Sequence, residues 1–139
     1  MVAIRPVQAS DLAAISALDA RLTGLDKPDY WQEMLAPERH FLAAETDKGA
    51  LAGFIAGEIR AWEFGQPAAG WVFAIQIDPR LRQRGVGSQL FDALVQRFKA
   101  EGVTRVRTLV DRKDHLILSF FRAQGMVAGP SLQLDKELP

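Results

Sequence analysis

The chain has 139 residues, 48% of them hydrophobic and 24% charged, with 17 basic side chains against 17 acidic ones. This length fits one domain that buries a core without disulfides or metals. Zero net charge excludes bulk electrostatic attraction to nucleic acid or an anionic membrane. Cysteine is absent, which excludes disulfide frameworks, thiol nucleophiles and cysteine zinc sites. His40 and His115 are the only histidines and lie far apart, so no metal centre is expected. The opening MVAIRPVQASDL has no apolar leader, and no run approaches a membrane span. A cytoplasmic protein is expected.

In chain order, Ala3–Pro6 reads as a short strand, with Pro6 suiting an edge or strand end. Ser10 reads as the N-cap of a helix over Asp11–Arg21, where Leu12, Ile15 and Leu18-Asp19 recur at helical spacing. Pro28 opens a second helix that carries Tyr30-Trp31 and Met34-Leu35 and stops near Pro37. His40–Thr46 is a strand closed by the turn Asp47-Lys48-Gly49. Ala50–Phe64 is a long strand in which Gly53 and Gly57 mark bulges or close backbone approach. Gly70–Ile77 is almost wholly apolar, as a strand covered on both faces should be. Gly87–Ala100 is a helix with Leu90, Leu94, Val95 and Phe98 on one face and Gly102 past its end. Thr104–Val110 alternates, setting Val106 opposite Arg105 and Arg107. Asp114–Gln124 is the last helix, with Ile117, Phe120 and Phe121 on one side and Gly125 as its stop; a short strand follows. Hairpin-linked strands followed by β-α-β-α predict a mixed sheet with helices on both faces, in a single domain over 1–139.

The chemistry concentrates in IQIDPRLRQRGVGSQL, residues 75–90. An apolar strand ends at Asp78-Pro79, a basic loop follows, and Gly85 and Gly87 lead into a helix. Glycines admit a ligand close to the backbone, and the amides of a helix start favour negative charge. Arg82 and Arg84 can screen a phosphate. Glycines alone fit an ordinary strand-to-helix turn equally well. A Walker loop needs Gly-Lys-Ser/Thr where Gly87-Ser88-Gln89 stands. The dinucleotide fingerprint needs a small third residue where Leu90 stands. Both are set aside.

The stretch resembles the acetyl-CoA loop of the GNAT superfamily of acyl-CoA-dependent N-acyltransferases. Its Arg/Gln-x-x-Gly-x-Gly/Ala pattern is met by Arg82-Gln83-Arg84-Gly85-Val86-Gly87, and Ile77-Asp78-Pro79 is similar to the family's Val-x-Pro strand end. The opening IRPVQASDLAAI resembles the family's start, and FFRAQGM its last helix stop. The resemblance implies an α/β fold with a mixed, mostly antiparallel central sheet of six or seven strands. It also implies acetyl-CoA as donor, with the amides of Gln83, Arg84, Gly85, Val86, Gly87 and Ser88 on its pyrophosphate. Main-chain groups of Ile75 and Ile77 would pair with the pantetheine arm like an added strand. Phe120 and Phe121 would pack at the thiol end and Asp114 near the pantetheine; for Phe120 plain core packing is the simpler reading.

Two family features are missing. Phe121 stands where a tyrosine often protonates the departing thiolate, and Gly70–Ile77 lacks the glutamate that often serves as base. Glu58 and Glu63 are substitutes that alternation puts on opposite faces of the long strand. Glu58, sharing its face with Arg60 and Trp62, is either a base beside an aromatic wall or a salt partner of Arg60. His115 is a weaker candidate, because an imidazolium is disfavoured at a helix start. The segment TGLDKPDYW, residues 23–31, would form part of the acceptor wall through Asp26, Asp29, Tyr30 and Trp31, or else supply a cap and two core aromatics. The expected activity is N-acetyl transfer from acetyl-CoA to a primary amine of a small molecule or peptide. The alternatives are a non-catalytic acyl-CoA-binding sensor and a structural module without ligand. Few residues remain after Met126 for a closing hairpin, so a homodimer with an open or shared cleft is expected.

Overall fold

The computed structural model describes residues 1–82 and 84–139, which form two compact units, Met1–Leu109 and Val110–Pro139. The first unit holds one sheet of five strands in the order β1 (Val2–Pro6), β2 (Arg39–Thr46), β3 (Leu51–Arg60), β4 (Ala69–Ile77) and β5 (Val106–Thr108). Four strands run as an antiparallel meander, and β5 joins β4 in parallel. A parallel pair needs a long crossover, and helix α3 (Val86–Ala100) supplies it.

Helices α1 (Leu12–Thr23) and α2 (Pro28–Glu33) cover one face. Ile15, Leu18, Trp31 and Met34 pack there with Phe41 and Ala43 of β2 and Phe54 and Ala56 of β3. Helix α3 covers the other face through Leu94 and Phe98. Gly57 and Gly70 let it approach: a Cβ on Gly70 would lie 2.1 Å from the Phe98 ring. Gly57 is thus a site of close approach, as its place in the strand pattern suggested.

The sheet has five strands rather than six or seven. Among the described residues nothing after Met126 forms a strand; Pro130 has no amide to give a ladder, and Gly129 precedes it. The third strand also stops at Arg60 and not at Phe64. Trp62 (φ 66°) and Phe64 (φ 57°) adopt left-handed backbone, which ends the pleat and builds a turn over Glu63–Gly65. Strand alternation therefore does not reach Trp62 or Glu63. At the other end Ser10 is not the cap of α1. A 3₁₀ turn over Ala9–Asp11 precedes that helix, and the Gln8 amide donates to Asp11 Oδ2 at 2.8 Å. Arg5 fixes Asp11 there with two bonds of 2.7 and 2.9 Å and reaches Glu45 at 3.2 Å, joining β1, β2 and the helix start.

The chain leaves β4 at Asp78, whose carboxylate is buried. It accepts from the Arg80 amide at 3.0 Å and from the Arg80 guanidinium at 2.8 and 3.2 Å, and Arg21 of α1 lies at 3.9 Å. In the second unit, α4 (His115–Ala123) is capped by Asp114, which accepts from the Ile117 amide at 3.1 Å. It ends where Gly125 turns to φ 90° and the Met126 amide returns to the Phe121 carbonyl at 3.1 Å. Among the described residues no helix is long and apolar enough to cross a membrane.

Two measurements test this frame. Gly70→Ala should destabilise the protein by about 1–3 kcal/mol in chemical denaturation, since Phe98 and the β4 backbone must separate. The Arg80 side chain holds the Asp78 carboxyl well below its ordinary value, at about 2. A depressed carboxylate stabilises the fold fully above the unfolded value of about 3.9. That contribution is lost as the pH falls from about 4 toward 2, so Asp78→Asn should flatten the acid limb of the stability profile in that window.

Candidate active site

The site grows from one irregularity in β4. The ladder with β3 pairs Ala56 with Ala74 but Gly57 with Val72, so Phe73 is an extra residue with no partner opposite. Such a bulge bends its strand and raises its twist. The pairing with β5 stops at the same place: Val72 with Thr108 is the last pair, and the Thr108 hydroxyl donates to the Val72 carbonyl at 2.9 Å. Beyond it, residues 73–77 have no strand on the β5 side among the described residues.

The ladder also fixes which groups face that open edge. The Asp78 amide donates to the Ala52 carbonyl at 2.8 Å, so 78 and 52 form a hydrogen-bonded pair. Bonded and non-bonded pairs alternate along antiparallel strands. Gln76 and Ala74 therefore bond to β3, whereas Ile75 and Ile77 turn their N–H and C=O groups to the open edge. Those are the two residues expected to hold a pantetheine arm.

The open edge runs into the basic loop. Asp78 caps a 3₁₀ turn over Pro79–Leu81, Arg82 is extended, and Gly85 takes φ 76° as the N-cap of α3. A residue with a side chain would be strained at that angle. A Cβ at Gly85 would meet nothing within 4 Å, so the space before the helix is open. Among the described residues the first bond into α3 runs from the Gln89 amide to the Gly85 carbonyl at 3.0 Å, and the amides of Val86 and Gly87 lie before it in the first turn, where N–H groups point toward the helix start. The Val86 side chain is core, leaving its amide as its contribution. Arg82 and Arg84 are exposed, Ser88 is half-buried in the first turn, and Gln83 lies outside the described residues. Amides, helix dipole and guanidinium groups together suit a pyrophosphate, and the strand edge suits an amide-bearing arm. These residues fit coenzyme A.

The acid–base candidates are Glu58 of β3 and His115 of α4. Half-buried Glu58 sits between two guanidinium groups, with Oε2 at 3.7 Å from Arg39 Nε and 3.6 Å from Arg60 Nη2. Neither approach is a hydrogen bond, and Arg60 gives its short contact, 2.8 Å, to Glu63. An ammonium group approaching Glu58 would meet two cations already in place. Trp62 is exposed on the turn rather than beside Glu58 on the strand. His115 is exposed as the first residue of α4, Asp114 is its cap, and Phe120 and Phe121 meet edge to face at 5.3 Å.

The expected acceptor wall divides. Asp26 accepts from the Ser16 hydroxyl at 3.2 Å and lines, with Leu12, Pro28 and Gln32, a shallow groove of about 450 Å³ between α1 and α2. Tyr30 is partly exposed, and burial pushes its phenol up. Trp31 is fully buried against Phe41 and Phe54 and is a core residue, not part of a wall. The sequence reading missed the role of Asp19. Its buried carboxylate accepts from Gln76 Nε2 at 2.8 Å, Lys27 Nζ at 3.1 Å and Trp31 Nε1 at 3.3 Å, joining α1, α2 and β4. An acid inside the apolar stripe of α1 was the available signal.

Comparison with known proteins agrees with this geometry. No curated protein matches the chain in sequence. The fold is shared with the aminoglycoside 6'-N-acetyltransferase AAC(6')-Ih from Acinetobacter baumannii, at 16% identity and TM-score 0.85 over 100% of both chains. It is shared also with AAC(6')-Iy, solved with the bisubstrate analogue CoA-S-monomethyl-acetylneamine, at 19% identity and TM-score 0.84 over 100% of this chain and 99% of that one. A ribosomal-protein-alanine N-acetyltransferase from Brucella melitensis biovar Abortus superposes at TM-score 0.82 and 19% identity, covering 99% and 100%. The model of the acetyltransferase (GNAT) family matches residues 9–126, and with the parted strands and the Arg82–Gly87 loop in place, the chain belongs to that family.

Proposed function

We propose that the protein transfers an acetyl group from acetyl-CoA to a primary amine of a small molecule or peptide by direct attack. The observation that carries this is the open β4 edge at Ile75 and Ile77, leading into the N-terminal amides of α3. Acetyl-CoA supplies an activated thioester carbonyl. A C–N bond forms, the C–S bond breaks, the amine loses a proton and the thiolate leaves. The family match runs across both units, which supports reading 1–139 as one catalytic domain. Structural relatives named for aminoglycosides and for a ribosomal-protein alanine support an amine acceptor of either kind.

The chain's own groups act by positioning. The strand edge and loop would orient the donor, and Asp26 and Tyr30 would face the acceptor. Phe121 has no proton to give, and β4 carries no acid, so we take the amine to enter neutral and the thiolate to leave unassisted by that position. Those two absences also favour a second reading, a non-catalytic acyl-CoA sensor. Among the described residues β5 is the last strand of the sheet, and an edge strand of this kind supports association of two copies.

Calorimetric titration with acetyl-CoA, free CoA and ATP tests the reading. Binding that needs the pantetheine arm is expected, with little for ATP; no binding would leave a fold without its donor. Gly85→Glu should weaken acetyl-CoA at least about tenfold, about 1.4 kcal/mol, with the circular dichroism retained. Unchanged affinity would remove the loop assignment. Once an amine panel yields turnover, Glu58→Gln should change kcat by less than about tenfold, because Glu58 is engaged by Arg39 and Arg60. A loss of about a hundredfold or more would make Glu58 the base.

A further inference from the structure

An acceptor amine must reach the parted stretch of β4, and one face of the sheet is closed to it. On the α3 face Phe98 lies against the backbone where Gly57 and Gly70 have no side chain. On the α1–α2 face the apolar core reaches the pair Phe41 and Ala56. Two residues beyond that pair stand Arg39 and Glu58, opposite each other and on the same face by alternation. The register carries the row across the sheet: Glu58 is opposite Trp71 of β4, and Trp71 is opposite Arg107 of β5. Residues directly opposite one another share a face.

This row is cationic and ends at the bulge. Arg60 is paired in the ladder with Ala69, yet its guanidinium lies 5.4 Å from the centre of the Phe73 ring, at the unpaired residue of β4. Arg39, Arg60 and Arg107 stand against Glu58 on the strand and Glu63 on the turn, three guanidinium groups to two carboxylates. Donors are in excess as well. The Nε groups of Arg39 and Arg60 are buried with no hydrogen-bond partner among the described residues. Within Met1–Leu109, Arg107 pairs with no acid. Buried donors without acceptors are costly, and such an excess suits a site whose acceptor arrives with a ligand.

We propose, resting on the transfer reading above, that the acceptor is a primary amine that also carries a carboxylate, such as an amino acid, and that Arg60 and Arg107 hold this carboxylate over Trp71 while the amine reaches the parted edge. A guanidinium fork bonds both oxygens of a carboxylate, and the indole gives the carbon chain between the two groups a flat apolar floor. The same cations work against an acceptor with several positive charges, so the row selects by charge.

Thiol release from acetyl-CoA tests this with glycine, β-alanine, γ-aminobutyrate and ε-aminocaproate, each beside its primary amide. The best carboxylate should exceed its amide in kcat/KM at least about tenfold, and Arg107→Gln should lower that ratio at least about tenfold, chiefly through KM. A merely structural role for Arg107 would lower both series alike and leave the ratio where it was. Equal rates for the two series, faster amides, or a ratio unmoved by Arg107→Gln overturns the proposal. A second measurement needs no donor and no turnover. The indole N–H resonance of Trp71, identified by its loss in Trp71→Phe, should shift on titration with ε-aminocaproate and much less with the amide, and the difference should vanish in Arg107→Gln and in Arg60→Gln. An indole that answers both probes alike, or neither, overturns the proposal even where no rate is measurable. Acetyl-CoA titration of the same samples keeps the transfer reading separate: a protein that binds the carboxylate and no donor overturns that reading alone.

Discussion

Phe73 is one residue more than the ladder of β3 and β4 can pair, and the site depends on it. Up to Val72, β4 is bonded on both sides; from there, among the described residues, its strand partner is β3 alone. The parting leaves the peptide groups of Ile75 and Ile77 facing outward. A buried peptide group without a partner costs about 1–3 kcal/mol, so a structure keeps such an edge only where water or a ligand completes it. An amide-rich arm completes it as a strand would. The extra residue therefore opens a strand edge without changing any side chain's chemistry.

A bent strand needs support on both faces, and the two supports differ. On the α3 face it is steric: Gly57 and Gly70 have no side chain, and Phe98 lies against the backbone in their place. On the α1–α2 face it is polar. Asp19 holds the Gln76 amide nitrogen, which fixes the orientation of that side chain between Ile75 and Ile77, and the same carboxylate holds Lys27 at the start of α2. A buried carboxylate is costly unless paired and hydrogen-bonded, and here one oxygen takes Gln76 while the other takes Lys27 and Trp31. The connection that carries Asp26 and Tyr30 is thereby tied to β4.

Much of this was legible in the residues. The apolar run of β4, the helical spacing of Leu90, Leu94 and Phe98, and the Arg82–Gly87 pattern each report a local requirement that only certain side chains meet. The bulge was not legible, because a strand covered on both faces shows no alternation for an extra residue to interrupt. The end of β3 was misread for a related reason. Trp62 and Phe64 are strand-favouring residues that here take left-handed backbone, against their intrinsic preference. Trp31 looked like a wall residue because its neighbours Asp29 and Tyr30 are polar or exposed, yet a helix turns successive residues to different faces. The partner of Asp19 is 57 positions away, and spacing along one element says nothing about it.

The distribution of charge gives the active site its character. Among the described residues Arg82 and Arg84 of the loop enter no ion pair, which leaves them for an anionic donor, whereas Arg39 and Arg60 near Glu58 are engaged with carboxylates. An ammonium group approaching Glu58 would meet Arg39 and Arg60 already beside it, and their field opposes a further cation. The same field does not oppose a neutral amine. Transfer then depends on holding a nucleophile and a thioester at reacting distance, for which an ordered strand edge and helix start are sufficient machinery.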